Sequence, residues 1–555
     1  MQALHKLQVS HTTPVCRWTN YDIRPTEAAR RTWGLTAYNN YWLLINFSIA
    51  TYLTGSSLIP LGLNWWQAVI CIVLGNLLAG LFCTLNSLPG AYYNIGFPVA
   101  NRAVWGMWGS LFVICNRILL SLVWYGFNSW VGGTCIYVIL QSWSPSLESH
   151  IPNTISPDTG ITTAQFVAYI VFCLISLPIA WIRPHKLKTF FIIASTTTII
   201  FFIAFLIWAL ATMGPSGFGS TISSSESSPS TTDTAWMMVY GIISTIGGIA
   251  AGILNQNDYA RFARKPSHAI LSAAIPFPLY GIVCSVFGIL VTAATQNRFG
   301  GEAIWNPPDL LSRLITDSPT PRTRAACFFA GLALTVAQVG MNIPGNALGG
   351  GFDLAALFPK YINIRRGAYL TMALSVAVNP WKLASTSTVF LTVLSSYSVF
   401  LAPMTGIMVS GFLCVGRCKI KTDDLYRSGN GGVYWFSAGV NWRAVVSWLI
   451  GIAPVLPGFI AAVNPSVIVP VGLTRLYNMS YIYGFLSSSL VYVILHRIFP
   501  APSLDAFVNG AETAKEVMAA SREKWDDLEY DGESIEGQVL VKCDDAKQAE
   551  SAANV

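Results

Sequence analysis

Apolar runs long enough to cross a bilayer recur along this 555-residue chain, and nothing else in the sequence constrains its fold as strongly. A hydrocarbon core about 30 Å thick takes roughly 20 apolar residues of α-helix to span. About twelve such runs are expected, near 38–60, 64–88, 107–141, 162–182, 189–212, 235–256, 269–294, 325–349, 367–380, 387–411, 442–463 and 479–498. Inside hydrocarbon every backbone polar group needs a partner in its own segment, so these runs read as helices. The fold class is therefore an all-α polytopic membrane protein, with a transmembrane unit over 36–498, a cytosolic N-terminal segment over 1–35 and a polar tail over 499–555.

Composition excludes a string of soluble domains. Apolar and aromatic residues make up 53% of the chain and charged residues only 11%, whereas soluble domains are typically about a quarter charged. Arg24, Arg30 and Arg31 precede the first run, which starts well after Met1 and lacks a small-residue cleavage site, so no signal peptide is expected. The eleven cysteines are scattered without metal-ligand spacing and read as small core hydrophobes. Cys414 and Cys418 lack His or Cys partners for zinc, and no metal or cofactor is expected. An intramembrane enzyme is disfavoured, because no Ser-Lys dyad, His/Asp cluster or metal motif lies in the runs; His185, His268 and His496 fall in loops or at helix ends.

Charge sets the topology. The net charge is +7, yet residues 501–555 hold 13 acidic residues against 5 Lys and Arg, so the tail carries −8 and the remainder +15. That basicity lies in alternate loops: Arg183, Lys186 and Lys188; Arg261, Arg264 and Lys265; Lys360, Arg365 and Arg366; Arg417, Lys419, Lys421 and Arg427. By the positive-inside rule these loops and both termini face the cytosol. Loops 142–161 and 213–234 have no Lys or Arg and are placed outside, the second as a flexible Ser/Gly/Thr/Pro run. The long, mixed-charge loop 295–324 is read as external with structure of its own. The acidic tail is expected to be disordered and solvated, with Lys515, Lys524 and Lys542 as sites for ubiquitination or trafficking machinery. The lipid bilayer is a partner; nucleic acid is not.

Solute sites in inverted-repeat transporters lie near the midplane where matching helices are interrupted. The first run carries Asn46, Ser48, Thr51 and Gly55-Ser-Ser57; the sixth carries Gly241, Gly247, Gly248 and Gly252, with Ile249 among them, followed by Asn255, Gln256, Asn257 and Asp258. Glycines of this kind also serve close helix packing; the five-helix offset favours interruption in a five-plus-five repeat. On the third run Trp124 and Asn128 are four apart and share a face, as do Asn342 and Asn346 on the eighth. An aromatic plane with carboxamides that donate and accept suits a flat solute with hydrogen-bonding edges. Lipid-facing tryptophan and interhelical asparagine explain the same residues; only convergence of all four on one cavity separates the readings. Arg117, two turns before Trp124, is a charge that needs a partner in the membrane. Asp258 is the expected one, as an inner gate or coupling pair.

Longer motifs carry a resemblance. Asn20 to Pro25 reads NYDIRP, followed by RTWG at 31–34; then come NIGFP at 94–98, WYGFNSW at 124–130, NQNDYARF at 255–262, NIPGN at 342–346 and YSVF at 397–400, leading to Pro403 and Gly406. The sequence is similar to the nucleobase-cation symporter-1 (NCS1) family, fungal Fur-type uracil and allantoin permeases. The resemblance implies a LeuT-like fold, with ten helices in a 5+5 inverted repeat plus two C-terminal helices. It also implies alternating access by a secondary active transporter importing a nucleobase or related heterocycle across the plasma membrane. It places Trp124 against the substrate ring and Asn128, Asn342, Asn346 and Ser48 at its polar edge, with Gly248 and Ile249 lining the site. Tyr397 and Phe400 fall in the gating segment.

Several positions depart from the family pattern. Asn128 stands where members often have Gln, and Ile249 near a position where some have Trp. Gly340 and Met341 stand where sodium-coupled bacterial relatives have hydroxyl residues, which disfavours sodium and favours a proton as coupling ion. Ile45 stands where many fungal members have an acid, leaving Asp258 as the proton-carrying candidate. Alternative functions are a nucleoside or vitamin transporter, for uridine, thiamine or nicotinamide riboside, and a non-transporting nutrient sensor.

Overall fold

The computed structural model describes residues 17–527 apart from 21, 183–187, 215–216, 219–230, 384, 428 and 430, and only the backbone of 188, 189, 191 and 527. Among the described residues there are helices and no strand. In chain order the helices used below are α1 (Leu35–Asn46), α2 (Ile49–Ser56), α3 (Trp65–Tyr93), α4 (Gly109–Trp143), α5 (Thr163–Trp181), α6 (Lys188–Ala211), α7 (Thr231–Leu254), α8 (Asn257–Ala260), α9 (Pro266–Ala274), α10 (Pro276–Gln296) and α11 (Pro307–Asp317). They continue with α12 (Pro321–Asn342), α13 (Leu348–Leu357), α14 (Ile364–Leu374), α15 (Ser387–Ser410), α16 (Trp442–Ile452), α17 (Leu456–Val463), α18 (Val471–Asn478), α19 (Ser480–Ile498), α20 (Pro502–Val508) and α21 (Ala514–Asp527).

Nine described stretches are long and apolar enough to span a bilayer, and α16 with α17, bent by 54°, makes a tenth. The two remaining expected runs fall short for local reasons. The ninth is reduced to α14, which gives way to 3-10 turns at Ser375–Val378 and Pro380–Lys382. The first is divided. Phe47 leaves helical geometry and Ser48 is extended (φ −139°, ψ 160°), its hydroxyl accepting from the Thr51 amide at 3.3 Å as the N-cap of α2. Asn46 anchors the other side of the break, donating from Nδ2 to the Phe277 carbonyl at 3.1 Å. A break at membrane depth is tolerated where such partners satisfy the backbone.

The sixth span is also interrupted, but not at its glycines. α7 continues through Gly241, Gly247, Gly248 and Gly252 to Leu254, and the helix ends at Asn255 and Gln256 before the single turn of α8. Gly247 is a packing residue: a Cβ there would strike the Leu394 carbonyl on α15. Small residues let helix backbones approach this closely.

Both described ends of the chain gather at one end of the bundle with the basic 417–440 loop. Arg31 grips Asp526 with two hydrogen bonds of 3.1 and 2.7 Å. Arg522 donates to the carbonyls of Tyr92 and Ala91, and Lys419 to that of Val508. Arg102 reaches the carbonyls of Trp18 and Leu425 at 2.9 and 2.8 Å. The expectation of a disordered tail from 499 is corrected for its first part: α20 docks by burying Leu504 and Val508, and α21 by burying Val517 and Ser521 and pairing Asp526 with Arg31 and Lys524 with Asp423. Residues 528–555, including Lys542, and the basic residues Arg183 and Lys186 lie outside the described residues. At the opposite end, loop 295–324 has the expected structure of its own. It contains α11, and Ser312 and Arg324 fasten the loop and the start of α12 to the end of α4 through Gln141, Ser142 and Trp143.

Candidate functional site

The break between α1 and α2 faces α4, α7 and a π-helical turn, Ile343–Ala347, that separates α12 from α13. Among them lies a partly open cavity of about 140 Å³. π turns insert a residue into an α-helix and often mark functional sites. Of the residues expected at the site, Ser48, Trp124, Asn128, Gly248, Ile249, Asn346 and Arg117 line this cavity. Asn342, Tyr397, Phe400 and Asp258 do not.

Trp124 is held edge-on to Phe127, with ring centroids 5.7 Å apart and planes at 84°, and its ring lies 6.1 Å from that of Tyr397. Tyr397 therefore neighbours the Trp124 ring without lining the cavity. Phe400 is elsewhere, edge-on to Phe459 of α17 at 5.7 Å, with its carbonyl accepting from the Trp448 indole.

Asn342 braces the site without lining it. Its Nδ2 donates to the Tyr125 carbonyl and Ser129 hydroxyl of α4, at 3.2 and 3.0 Å, and its Oδ1 accepts from Asn346 Nδ2 at 2.8 Å. Asn346 is thereby fixed with its own Oδ1 free of any hydrogen bond among the described residues. Asn128 is committed inside the protein. Its Nδ2 donates to the Trp124 carbonyl at 2.9 Å, and its Oδ1 and carbonyl accept from Gln338 Nε2 at 3.3 and 3.0 Å. Gln338, fully buried, is a residue that sequence reasoning missed, although it extends the four-residue spacing of Asn342 and Asn346 one turn back along α12.

The expected Arg117–Asp258 pair is replaced by another. Arg117 Nη1 faces Asp353 Oδ2 of α13 at 3.7 Å and donates to the Ser121 hydroxyl, while Nη2 lies 2.8 Å from the Asn255 amide oxygen, with that amide turned towards it. Asp258 instead accepts from the Phe97 amide at 2.9 Å, and its Oδ1 and Arg261 Nη1 lie together against Gly96. The cause is the break at 255–256: it carries Asp258 onto α8, aimed at the short helix Phe97–Ala100. Asp353 was legible in principle, as a lone carboxylate in an apolar stretch. Gln256, expected only as part of the polar interruption after the sixth run, lines the cavity and is 1% exposed, and its Nε2 has no hydrogen-bond partner among the described residues.

Comparison with known proteins fits this geometry. Residues 25–484 match the family described as permeases for cytosine/purines, uracil, thiamine and allantoin. The allantoin permease of Saccharomyces cerevisiae is 35% identical over 489 residues, covering 87% of this chain and 76% of the relative. The uracil permease of the same yeast is 34% identical with the same coverage. The chain also shares its fold with Mhp1, a nucleobase-cation-symport-1 family transporter solved in a closed conformation with bromovinylhydantoin bound; the TM-score is 0.69 at 19% identity, over 91% of this chain and 99% of that one. With a LeuT-like helical fold and its cavity at the helix breaks, this chain belongs to the family of permeases for cytosine/purines, uracil, thiamine and allantoin, and is a multi-pass membrane transporter rather than an enzyme.

Proposed function

We propose that the protein is a proton symporter that imports a nucleobase or related heterocycle of the uracil or allantoin kind by alternating access, at the plasma membrane, with both termini in the cytosol. One observation carries this reading: Trp124 and Asn346, from opposite repeats, converge on a single cavity beside the broken first span. Trp124 supplies the stacking plane, and the braced Asn346 presents a carboxamide oxygen that accepts from a ring N–H. The basic loops gathered with both termini support the cytosolic placement. Lys515, exposed on α21, is open to ubiquitination machinery, whereas Lys524 is paired with Asp423.

Proton coupling is favoured by what occupies the corner near Gly345. Ile45 Cδ1 and Met341 Sδ lie 3.4 and 3.8 Å from where a Cβ at Gly345 would stand, so this corner of the cavity is apolar, which supports a proton over sodium, a hard cation that takes oxygen ligands. Asp258 and Asp353, both buried, the second beside Arg117, are the carboxylates we assign to carry a proton.

The test is uptake of labelled uracil and allantoin in yeast lacking its own transporters, at two pH values and with or without sodium. Base–aromatic stacking contributes about 1–3 kcal/mol, so Trp124→Ala should raise KM roughly 5- to 150-fold while the protein still reaches the membrane. A wild-type KM in that variant overturns the platform assignment; sodium-dependent uptake overturns the ion.

A further inference from the structure

Away from the cavity, the end of α5 and the start of α14 form a basic and aromatic patch at the rim of the bundle. We propose that this patch is a site for the headgroup of an anionic phospholipid, with its phosphate on Arg365.

Two helices build the patch. Trp181 ends α5 and is 60% exposed, and Arg365 in the first turn of α14 lays its guanidinium over that ring, 4.6 Å from the centroid. Tyr369, one turn further on, stands 6.1 Å from the same ring and donates its hydroxyl to the Leu177 carbonyl at 2.6 Å, which ties α14 to α5. In the turn before α14, Tyr361 gathers two more cations: its carbonyl accepts from Arg366 Nη1 at 2.9 Å, and its ring lies 5.7 Å from Lys360 Nζ. The sequence has no acidic residue between Asp353 and Asp423, so nothing along this stretch of chain neutralises the three charges.

Interfacial tryptophans and cytosolic Lys or Arg are common to multi-pass proteins, and such cations are ordinarily hydrated and free to move. Arg365 differs. Its side chain is half-buried and its guanidinium is held on a ring face, yet it makes no hydrogen bond and no ion pair among the described residues. The planar fork is thus fixed in place with its donors unused, the arrangement that takes a phosphate through two parallel N–H···O bonds.

Position selects the source of the phosphate. α13, which leads into the patch, accepts at its Ala355 carbonyl from Asn20 Nδ2 at 3.3 Å, so the patch lies at the end of the bundle where both described ends of the chain gather. On the topology proposed above that end is cytosolic, and the cytosolic leaflet carries the anionic lipids. The surroundings are apolar as well. Leu174, two turns deeper on the Trp181 face of α5, and Leu370, beside Tyr369, are both exposed. They offer an acyl chain a surface that a free phosphate or an acidic peptide leaves unused.

The test uses the full chain as a purified fluorescent fusion in detergent, where both ends are accessible. Sidedness plays no part there, and accessibility of a C-terminal tag in intact cells tests the cytosolic placement on its own. Microscale thermophoresis against micelles doped with phosphatidylserine or phosphatidylcholine should show about tenfold tighter binding of the anionic lipid, as one charge-assisted hydrogen bond provides. Arg365→Lys, which keeps the charge and loses the fork, and Trp181→Leu, which removes the clamp, should each bring that ratio close to one. Arg264→Gln, at an exposed cation of the same end but outside the patch, should leave it unchanged. Equal affinity for the two lipids in the wild type overturns the proposal, as does selectivity that survives in Arg365→Lys or that falls equally in Arg264→Gln. Displacement of phosphatidylserine by millimolar inorganic phosphate also overturns it, by making this a phosphate site. Selectivity that emerges only in a chain carrying Glu529→Gln, Asp531→Asn, Glu533→Gln and Glu536→Gln overturns it too, by making the acidic tail the occupant.

Discussion

Asp353→Asn should destabilise the transporter far more than Asp258→Asn, although Asp258 is the carboxylate that the sequence places beside Arg117. The Nη1–Oδ2 separation of 3.7 Å corresponds, at an effective dielectric of about 20, to roughly 4 kcal/mol of attraction. Asp353 is completely buried and Arg117 is 4% exposed, so removing the carboxylate leaves a largely buried guanidinium without its counter-charge. Breaking a buried pair from one side typically costs about 3–5 kcal/mol. Asp258→Asn removes a charge whose direct hydrogen bond comes from a backbone amide, and Arg261 remains beside it with the Asp22 carbonyl to bond; about 1.5–3 kcal/mol is expected there. The assay is thermal inactivation of the detergent-solubilised fluorescent fusion, followed by size-exclusion chromatography. Because replacing both members of a buried pair by apolar residues is often neutral, Arg117→Met combined with Asp353→Leu should recover most of the stability lost in Asp353→Asn. The reasoning fails if Asp258→Asn is as damaging as Asp353→Asn, or if the double variant is worse than the single.

Asn128→Ala should strand the Gln338 amide and cost about 1–3 kcal/mol of stability, recovered in Asn128→Ala/Gln338→Leu, while raising uptake KM much less than Trp124→Ala does; a KM increase matching that of Trp124→Ala would show that the carboxamide leaves Gln338 to bind the solute. In the docked tail, the Glu516 carboxylate accepts from the Thr513 amide and hydroxyl at 2.6 and 2.9 Å, which holds it below the usual glutamate range. Its folded pKa being the lower one, its contribution is present above the ordinary glutamate value and disappears as pH falls through the depressed one. A spin label at Ala519 should therefore gain mobility on acidification in the wild type, with a weaker pH response in Glu516→Gln; identical curves would dismiss this capping contribution.

What could be read from the sequence follows the physics of each feature. Hydrocarbon thickness imposes one length on every crossing helix, so the runs were legible, and a four-residue spacing was enough to put Trp124 with Asn128 and Asn342 with Asn346. The glycines of α7 were not legible, since the same residue either interrupts a helix or lets another backbone approach, and the choice depends on the Leu394 carbonyl opposite. The remaining errors concentrate at departures from the α-helix. One inserted residue in the π turn at Ile343–Ala347 slips everything after it by roughly 100° against a straight helix, so periodicity in the apolar run before it says nothing of where Asp353 points. The break at Asn255 and Gln256 likewise sends Asp258 away from the cavity and leaves Gln256 facing it. Helical periodicity fails where the backbone stops being helical, and a membrane transporter puts its polar cavity at those places because only there are unsatisfied donors and acceptors available to a solute.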